Sequence, residues 1–498
     1  MGFLPRAGVP LLTVGLSACA VGPNFHQPKP PDVALTPEKL PTATVAADGV
    51  AQRYLSGADI SGDWWTLFHS PELNALIDAA LAHNPTLQES QQTLVEAEET
   101  VRAEQGGLLP SISGGFQAER EKVSSAELAS FGVAGAASTT NIAPFTLYNA
   151  DLNISYAPDV FGGLRRQIES DAAQADYERD ELEASYLTLT SNIVTASITQ
   201  ASLRAQIDAT NKVIAAERQV LAIRTTQAGL GGAAQAQVLQ EQATLDAAEA
   251  TLPPLQSQLA QTRNELAVYV GTFPGDFHEA DFTLADLTLP QDLPVSLPSA
   301  IVAQRPDIQA AAAQLHEASA HLGVATANML PQISLSAQIG HEALSSGALF
   351  TPQTLVWSLV VGVTQPLFEG GTLTTRRKAA LAALRAAGAQ YQSTVLSAFQ
   401  NVADALQVLQ YDATTLAAAQ AAEDAAASSL AVTEAQYKLG GQPFTAVLNA
   451  QVTYQNAAIN EVKAAAARLT DMAALYQAMG GGWWHREDVA ARCCGIMP

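Results

Sequence analysis

Three cysteines in 498 residues, Cys19, Cys493 and Cys494, are too few for a disulfide framework. Adjacent cysteines seldom form an unstrained bridge, and metal capture by Cys493-Cys494 has only His485 as a nearby imidazole, so 483–498 reads most simply as an untethered tail. Aromatic residues make up 6% of a chain that is 48% hydrophobic; the apolar side is largely alanine, which suits helices packed closely in long bundles. Positive charge is scarce, and a net charge of −23 argues against nucleic acid as a partner. No run of 18 or more apolar residues occurs, which excludes a transmembrane helix. The eight histidines are scattered without metal-ligand spacing, and neither a phosphate loop nor a nucleophile elbow is present. No enzyme activity, cofactor or metal is expected.

Helix breakers are also missing from one long stretch: Gly163 to Gln227 has no proline and no interior glycine. At about 1.5 Å per residue it forms a rod of roughly 100 Å. Leu182, Tyr186, Leu189, Ile193, Ala196, Gln200, Leu203, Ile207, Thr210, Ile214, Glu217 and Leu221 recur at alternating steps of four and three, the period of a seam that needs a partner helix. The partner follows at once, because Ala228-Gly229-Leu230-Gly231-Gly232 breaks the rod and Gln235 to Val270 returns. Gly229 is expected to supply the positive φ of the helix end.

The rod occurs twice. Pro158, Gly162 and Gly163 answer to Pro366, Gly370 and Gly371, a spacing of 208 (366 less 158). Gly231, Val238, Leu239 and Gly271 answer to Gly440, Val447, Leu448 and Gly480 at 209 (440 less 231). Pro85, Leu109 and Pro110 answer to Pro306, Leu330 and Pro331 at 221 (331 less 110), so the first copy carries about a dozen extra residues between Pro110 and Pro158. The chain divides into 1–18, a signal peptide; 19–62, an extended arm; 63–280 and 281–482, the two copies of the repeat; and the tail. In the first segment Arg6 precedes an apolar core, Val9 to Leu16, and Leu16-Ser17-Ala18-Cys19 resembles a bacterial lipobox, which makes Cys19 the expected lipidation site. From Gly22 to Gly62 proline, alanine and threonine abound without periodicity, which predicts an arm lacking regular structure.

Between the helices of each copy lies a pair of strands. Tyr148, Ala150, Leu152, Ile154 and Tyr156 alternate with Asn149, Asp151, Asn153 and Ser155, and Ile333, Leu335, Ala337 and Ile339 alternate with Ser334, Ser336, Gln338 and Gly340. Ser111 to Glu119 and Leu355 to Gln365 complete two hairpins. A half-buried sheet of a water-soluble domain has the same alternation, but here nothing nearby in the chain is available to cover the apolar faces. Strands of about 10 residues with one apolar face are the pattern of a membrane β-barrel. Four strands cannot close, and open edges in lipid leave amides unsatisfied; copies of the chain must pool their strands.

Leu297-Pro298-Ser299, Gln304-Arg305-Pro306-Asp307-Ile308 and Leu330-Pro331, with Trp64-Trp65, Phe68, Pro71-Glu72-Leu73, Asn84-Pro85, Pro253-Pro254-Leu255 and Val270-Gly271, resemble the outer-membrane efflux proteins of the TolC and OprM type, particularly their NodT-like lipoprotein branch. The resemblance spans Cys19 to Trp483. It implies a mixed α and β membrane protein, a homotrimer whose protomers each give four strands to one 12-stranded β-barrel, continuous with a long periplasmic α-helical barrel. It also implies a periplasmic adaptor and an inner-membrane pump of the resistance-nodulation-division class as partners, with small molecules leaving passively through the duct. Type I protein secretion through the same architecture is the nearest alternative; a periplasmic coiled-coil scaffold without a pore explains the rods but not the hairpins.

The expected functional positions join, dock and gate. Pro158, Gly162, Gly163, Pro366, Gly370 and Gly371 are strand-to-helix joints, where proline ends a strand ladder and glycine lets the backbone bend. Arg165, Arg166, Arg376, Arg377 and Lys378 follow them, either as a solvated collar or as contacts for phosphate headgroups. The resemblance makes Gly229, Gly231, Gly440 and Gly441 adaptor-docking tips. It also places the periplasmic aperture at Thr445, Leu448 and Asn449, where Asn449 stands in place of a frequent carboxylate. Leu448 serves equally well as seam packing, as Leu239 is placed to do in the first copy.

Overall fold

The computed structural model describes residues 20–31, 33, 41–47, 49–122, 143–278, 282–295 and 298–486. The signal peptide, Cys19, most of the loop from Lys122 to Phe145, and Cys493-Cys494 lie outside the described residues. The order is β1 (Arg53–Ser56), α1 (Pro71–His83), α2 (Pro85–Gly106), β2 (Ser111–Glu121), β3 (Phe145–Tyr156), α3 (Gly163–Gly229), α4 (Gln235–Val270), β4 (Asp292–Val295), α5 (Pro298–Gln304), α6 (Pro306–Ala327), β5 (Gln332–Ala343), β6 (Leu355–Thr364), α7 (Thr372–Lys438) and α8 (Phe444–Ala478), with short 3-10 turns between them.

Local chemistry accounts for the boundaries. The Ser70 hydroxyl accepts the Leu73 N–H at 3.3 Å and Pro71 opens α1, an N-cap followed by proline in the first turn. Asn84 ends α1 and starts α2: its Oδ1 accepts the Leu87 N–H at 3.0 Å and its amide donates to the Tyr269 carbonyl at 2.9 Å. α3 and α7 are each 67 residues long, and every residue of the predicted seam in α3 is buried or half-buried.

The chain forms two units, and both copies of the repeat contribute to each. One comprises residues up to Gln27 with Glu96–Ala175 and Ala313–Gly388. It holds an antiparallel sheet ordered β2-β3-β5-β6. The other comprises Pro28–Val95, Asp176–Ala312 and residues from Ala389 onward. Its core stacks Trp64 on Tyr476 at 5.3 Å between ring centroids, with Trp65 and Phe68 edge-on to Trp64. Arg305 explains the Gln304-Arg305-Pro306-Asp307 motif: Nε and Nη2 grip the Asp307 carboxylate at 3.0 and 2.7 Å while Nη1 donates to the Ala478 carbonyl at 2.6 Å, satisfying the end of α8.

Three expectations are corrected. The arm is not without regular structure: β1 pairs in parallel with β4, and Arg53 Nη2 meets Asp292 Oδ1 at 2.7 Å. A pairing of residues some 240 apart leaves no periodic mark in so short a strand. The tail is tethered where it begins. Trp483 Nε1 donates to the Gln304 carbonyl at 2.6 Å, and His485 Nε2 lies 2.6 Å from Asp59 Oδ2. Arg486 pairs with buried Glu183 at 2.8 Å and sits 3.8 Å above the Tyr186 ring. At the helix end, the positive φ belongs to Gly231 (+75°), and to its counterpart Gly440 (+77°), not to Gly229.

Candidate functional site: a two-faced sheet, its joints and the helical tips

The register aligns the alternation along most of the sheet, although Val356 and Val360 of β6 fall on the otherwise polar face. One face carries Ile112, Phe116, Leu152, Ile154, Ile339, Trp357, Leu359, Val361 and Val363, all exposed. The opposite face carries Ser113, Gln117, Asn149, Asp151, Asn153, Ser334, Ser336 and Gln338. Strands of 10 to 12 residues have the length of a tilted membrane crossing. β2 and β6 each have one neighbour in the sheet, so one edge of each presents a row of unpaired backbone groups. No described helix is long and apolar enough to cross a membrane, and no described group of His, Cys, Asp and Glu is arranged to hold a metal.

The joints differ between the two copies. At the first, Gly162 is buried with φ +76°, and a Cβ there would come within 2.6 Å of the Ala20 Cα. Asp159 caps α3, accepting the Leu164 and Arg165 N–H groups at 3.2 and 2.9 Å and the Arg165 Nε at 3.1 Å. At the second, Gly370 (+60°) and Gly371 (+86°) have open space around them. Both positive values place the bend where only glycine is unstrained. Arg166 is 4% exposed, too buried for a collar, and Arg165 pairs with Asp159. Arg376, Arg377 and Lys378 are exposed.

The tips are built alike. Gly231 N–H donates to the Ala228 carbonyl at 3.0 Å and Gly232 N–H to Gln227 at 2.7 Å; Gly440 donates to Tyr437 at 2.9 Å and Gly441 to Gln436 at 2.8 Å. These are Schellman closures, in which the left-handed glycine lets the chain turn back and satisfy the last carbonyls. Leu230 and Leu439 protrude from them.

The three aperture candidates separate. Leu448 is 2% exposed and packs on Ala216 and Val220 of α3, and Thr445 is also buried, while Asn449 is exposed. Leu239, in the matching position of the first copy, is 62% exposed. Leu448 is therefore seam packing, and the two equivalent leucines do different things.

One cluster has no counterpart among the sequence-derived positions. Arg468 is 1% exposed on α8; its Nε donates to Gln52 Oε1 at 3.1 Å and its Nη2 lies 3.4 Å from Thr44 Oγ1, fastening the arm. Beside it, burial first and then the Asp471 hydrogen bond and charge push the Asp412 carboxyl up to about 7, opposed by Arg468. A single arginine within Ala464-Ala465-Ala466-Ala467-Arg468 is the one signal the sequence offered.

Comparison with known proteins agrees with this geometry. The family model described as outer membrane efflux protein matches residues 76–272 and 297–481. The chain is 27% identical over 476 residues to the pyoverdine export outer membrane protein OpmQ of Pseudomonas putida, covering 95% of this chain and 96% of that protein. It is 27% identical over 474 residues to the toluene efflux pump outer membrane protein TtgF of the same species, covering 95% and 96%. The Campylobacter jejuni CmeC outer membrane channel superposes with a TM-score of 0.81 at 21% identity, over 96% of this chain and 98% of that one. The chain belongs to the outer membrane efflux protein family.

Proposed function

We propose that the chain is the exit duct of a tripartite efflux system, set in the outer membrane and anchored through lipidated Cys19. Three copies pool their four strands into one closed wall with the apolar face toward lipid and the polar face toward the passage. Eight strands leave an interior that side chains fill, whereas about 12 leave room for solutes. The observation that carries this reading is the sheet itself: two faces of opposite character and two unsatisfied edges, on a chain that also carries two 67-residue helices. Each protomer's helices continue as a periplasmic tube. The tips Gly229, Gly231, Gly440 and Gly441 meet a periplasmic adaptor, and through it an inner-membrane pump of the resistance-nodulation-division class supplies the energy. Asn449 is the member of the aperture set whose exposure suits a constriction, and Arg376, Arg377 and Lys378 suit phosphate headgroups. The exported small molecule does not follow from the fold, since pyoverdine and toluene are named for relatives of equal identity.

Purified protein reconstituted in a planar bilayer is expected to pass ion current in steps, and native mass measurement is expected to give three protomers. A water-soluble monomer that leaves the bilayer silent would overturn the proposal.

A further inference from the structure

The joint of the first copy is covered by a short piece of chain that side chains recognise one by one. Ala20 lies against Gly162, where a Cβ would approach its Cα to 2.6 Å. Val21 N–H donates to the Phe161 carbonyl at 3.1 Å. Gly22, at φ +100°, crosses Gly323 of α6 so closely that a Cβ on it would stand 2.5 Å from the Gly323 Cα. Arg166 sends Nε to the Val21 carbonyl at 3.1 Å and Nη2 to Asn24 Oδ1 at 2.7 Å and to the Gly22 carbonyl at 3.5 Å. Phe25 stacks on His316 at 4.4 Å between centroids, and His316 Nε2 is 3.0 Å from Glu169 Oε1. Glu169 in turn holds Arg166 Nη1 through Oε2 at 2.5 Å.

Two helices supply this slot: the first turns of α3 carry Arg166 and Glu169, and α6 carries His316 and Gly323. A Cβ on Gly323 would also strike the Arg166 side chain, at 2.8 Å from Cγ. Glycine at 22 is thus required by the crossing and glycine at 323 by the Arg166 side chain, while Asn24 meets the guanidinium and the Phe25 ring meets the imidazole. Among the described residues, nothing covers the second joint in this way.

We propose that Ala20–Phe25 is a strap held in a dedicated peptide slot, with Arg166 its principal positioning residue. Ala20 itself lies beside Gly162, at the strand-to-helix joint. The slot therefore sets where the lipid-bearing end of the chain enters the bilayer relative to the wall. That consequence rests on the lipid-anchor reading above; the strap itself does not.

Amide hydrogen exchange on the full-length protein in lipid nanodiscs tests it. Wild type and Cys19→Ser are expected to protect the Val21 amide equally. In Arg166→Ala that amide exchanges about 100-fold faster, the scale of losing the two shorter charge-assisted bonds, to the Val21 carbonyl and Asn24 Oδ1, while sheet amides stay as they were. Arg166→Lys restores part of the protection. Asn24→Ala, at an exposed position, gives a loss of about 10-fold from a single bond. Unchanged protection in both Arg166→Ala and Asn24→Ala overturns the proposal, as does protection that vanishes in Cys19→Ser. The mass of the mature N-terminus reads the anchor separately: an unmodified Cys19 with a protected strap refutes lipidation and leaves the slot standing.

Discussion

A single charge moved by one residue along β3 discriminates the membrane sheet from an ordinary half-buried one. Leu152 lies between Gly114 and Ile339 on the apolar face, and Asn153 between Ser113 and Gln338 on the polar face. The two share a depth in the strand and differ only in direction. An arginine on the lipid side of a barrel costs about 2 to 4 kcal/mol near the bilayer midplane, so Leu152→Arg in three copies amounts to roughly 6 to 12 kcal/mol per trimer. Asn153→Arg points into the passage and is expected to lower stability by less than about 1 kcal/mol per copy. It should instead reduce cation conductance by adding positive charge to the lumen. Refolding from urea into short-chain phospholipid vesicles, followed by the fraction of heat-modifiable trimer, measures the first; single-channel current measures the second. Equal loss of trimer from both variants, or a greater loss from Asn153→Arg, would refute the assignment of faces.

Leu448→Ala is expected to remove about 2 to 5 kcal/mol of stability through the cavity it leaves against Ala216 and Val220. It should leave unitary conductance unchanged, so a larger current with an unchanged melting temperature would return Leu448 to the aperture. Burial, then the neighbouring Asp471, push the Asp412 carboxyl up to about 7 in the folded protein, above its unfolded value of about 3.9. The folded state therefore binds the extra proton, and stability should be greatest below about pH 4 for this group and fall as pH rises toward 7. Asp412→Asn should flatten that slope in melting curves taken from pH 4 to 8. Gly440→Ala, with open space around the position, should cost only the left-handed strain of about 1 to 2 kcal/mol. Gly482→Ala, at φ +73° with its Cβ 2.6 Å from the Ile60 carbonyl oxygen, should cost more and free the tail to proteolysis.

Local order was legible in the residues. Period-two alternation in Tyr148 to Tyr156 and Ile333 to Ile339 predicted strands, and the absence of helix breakers after Gly163 predicted a rod, because both depend on neighbours a few residues apart. The duplication carried the same reading to the second copy. Some errors came from trusting that symmetry. Leu239 and Leu448 occupy matching places with opposite burial, and among the described residues Ala20–Phe25 covers only the first of the two joints. Gly229 was misjudged for a finer reason: three glycines crowd the tip, and only the hydrogen bonds of Gly231 and Gly232 decide which one bends.

The sequence by itself determined the repeat, the two kinds of periodicity and the need for other copies to complete the sheet, since each follows from covalent order and the cost of unpaired backbone in lipid. Only the tertiary structure decided what the irregular segments do. The strap in its slot, the β1 and β4 pairing, the arm fastened by Arg468 and the tail fastened by Trp483 and Arg486 all join residues more than 100 positions apart. Such contacts are chosen by which surfaces meet after the helices pack, and a segment held that way needs no periodicity of its own.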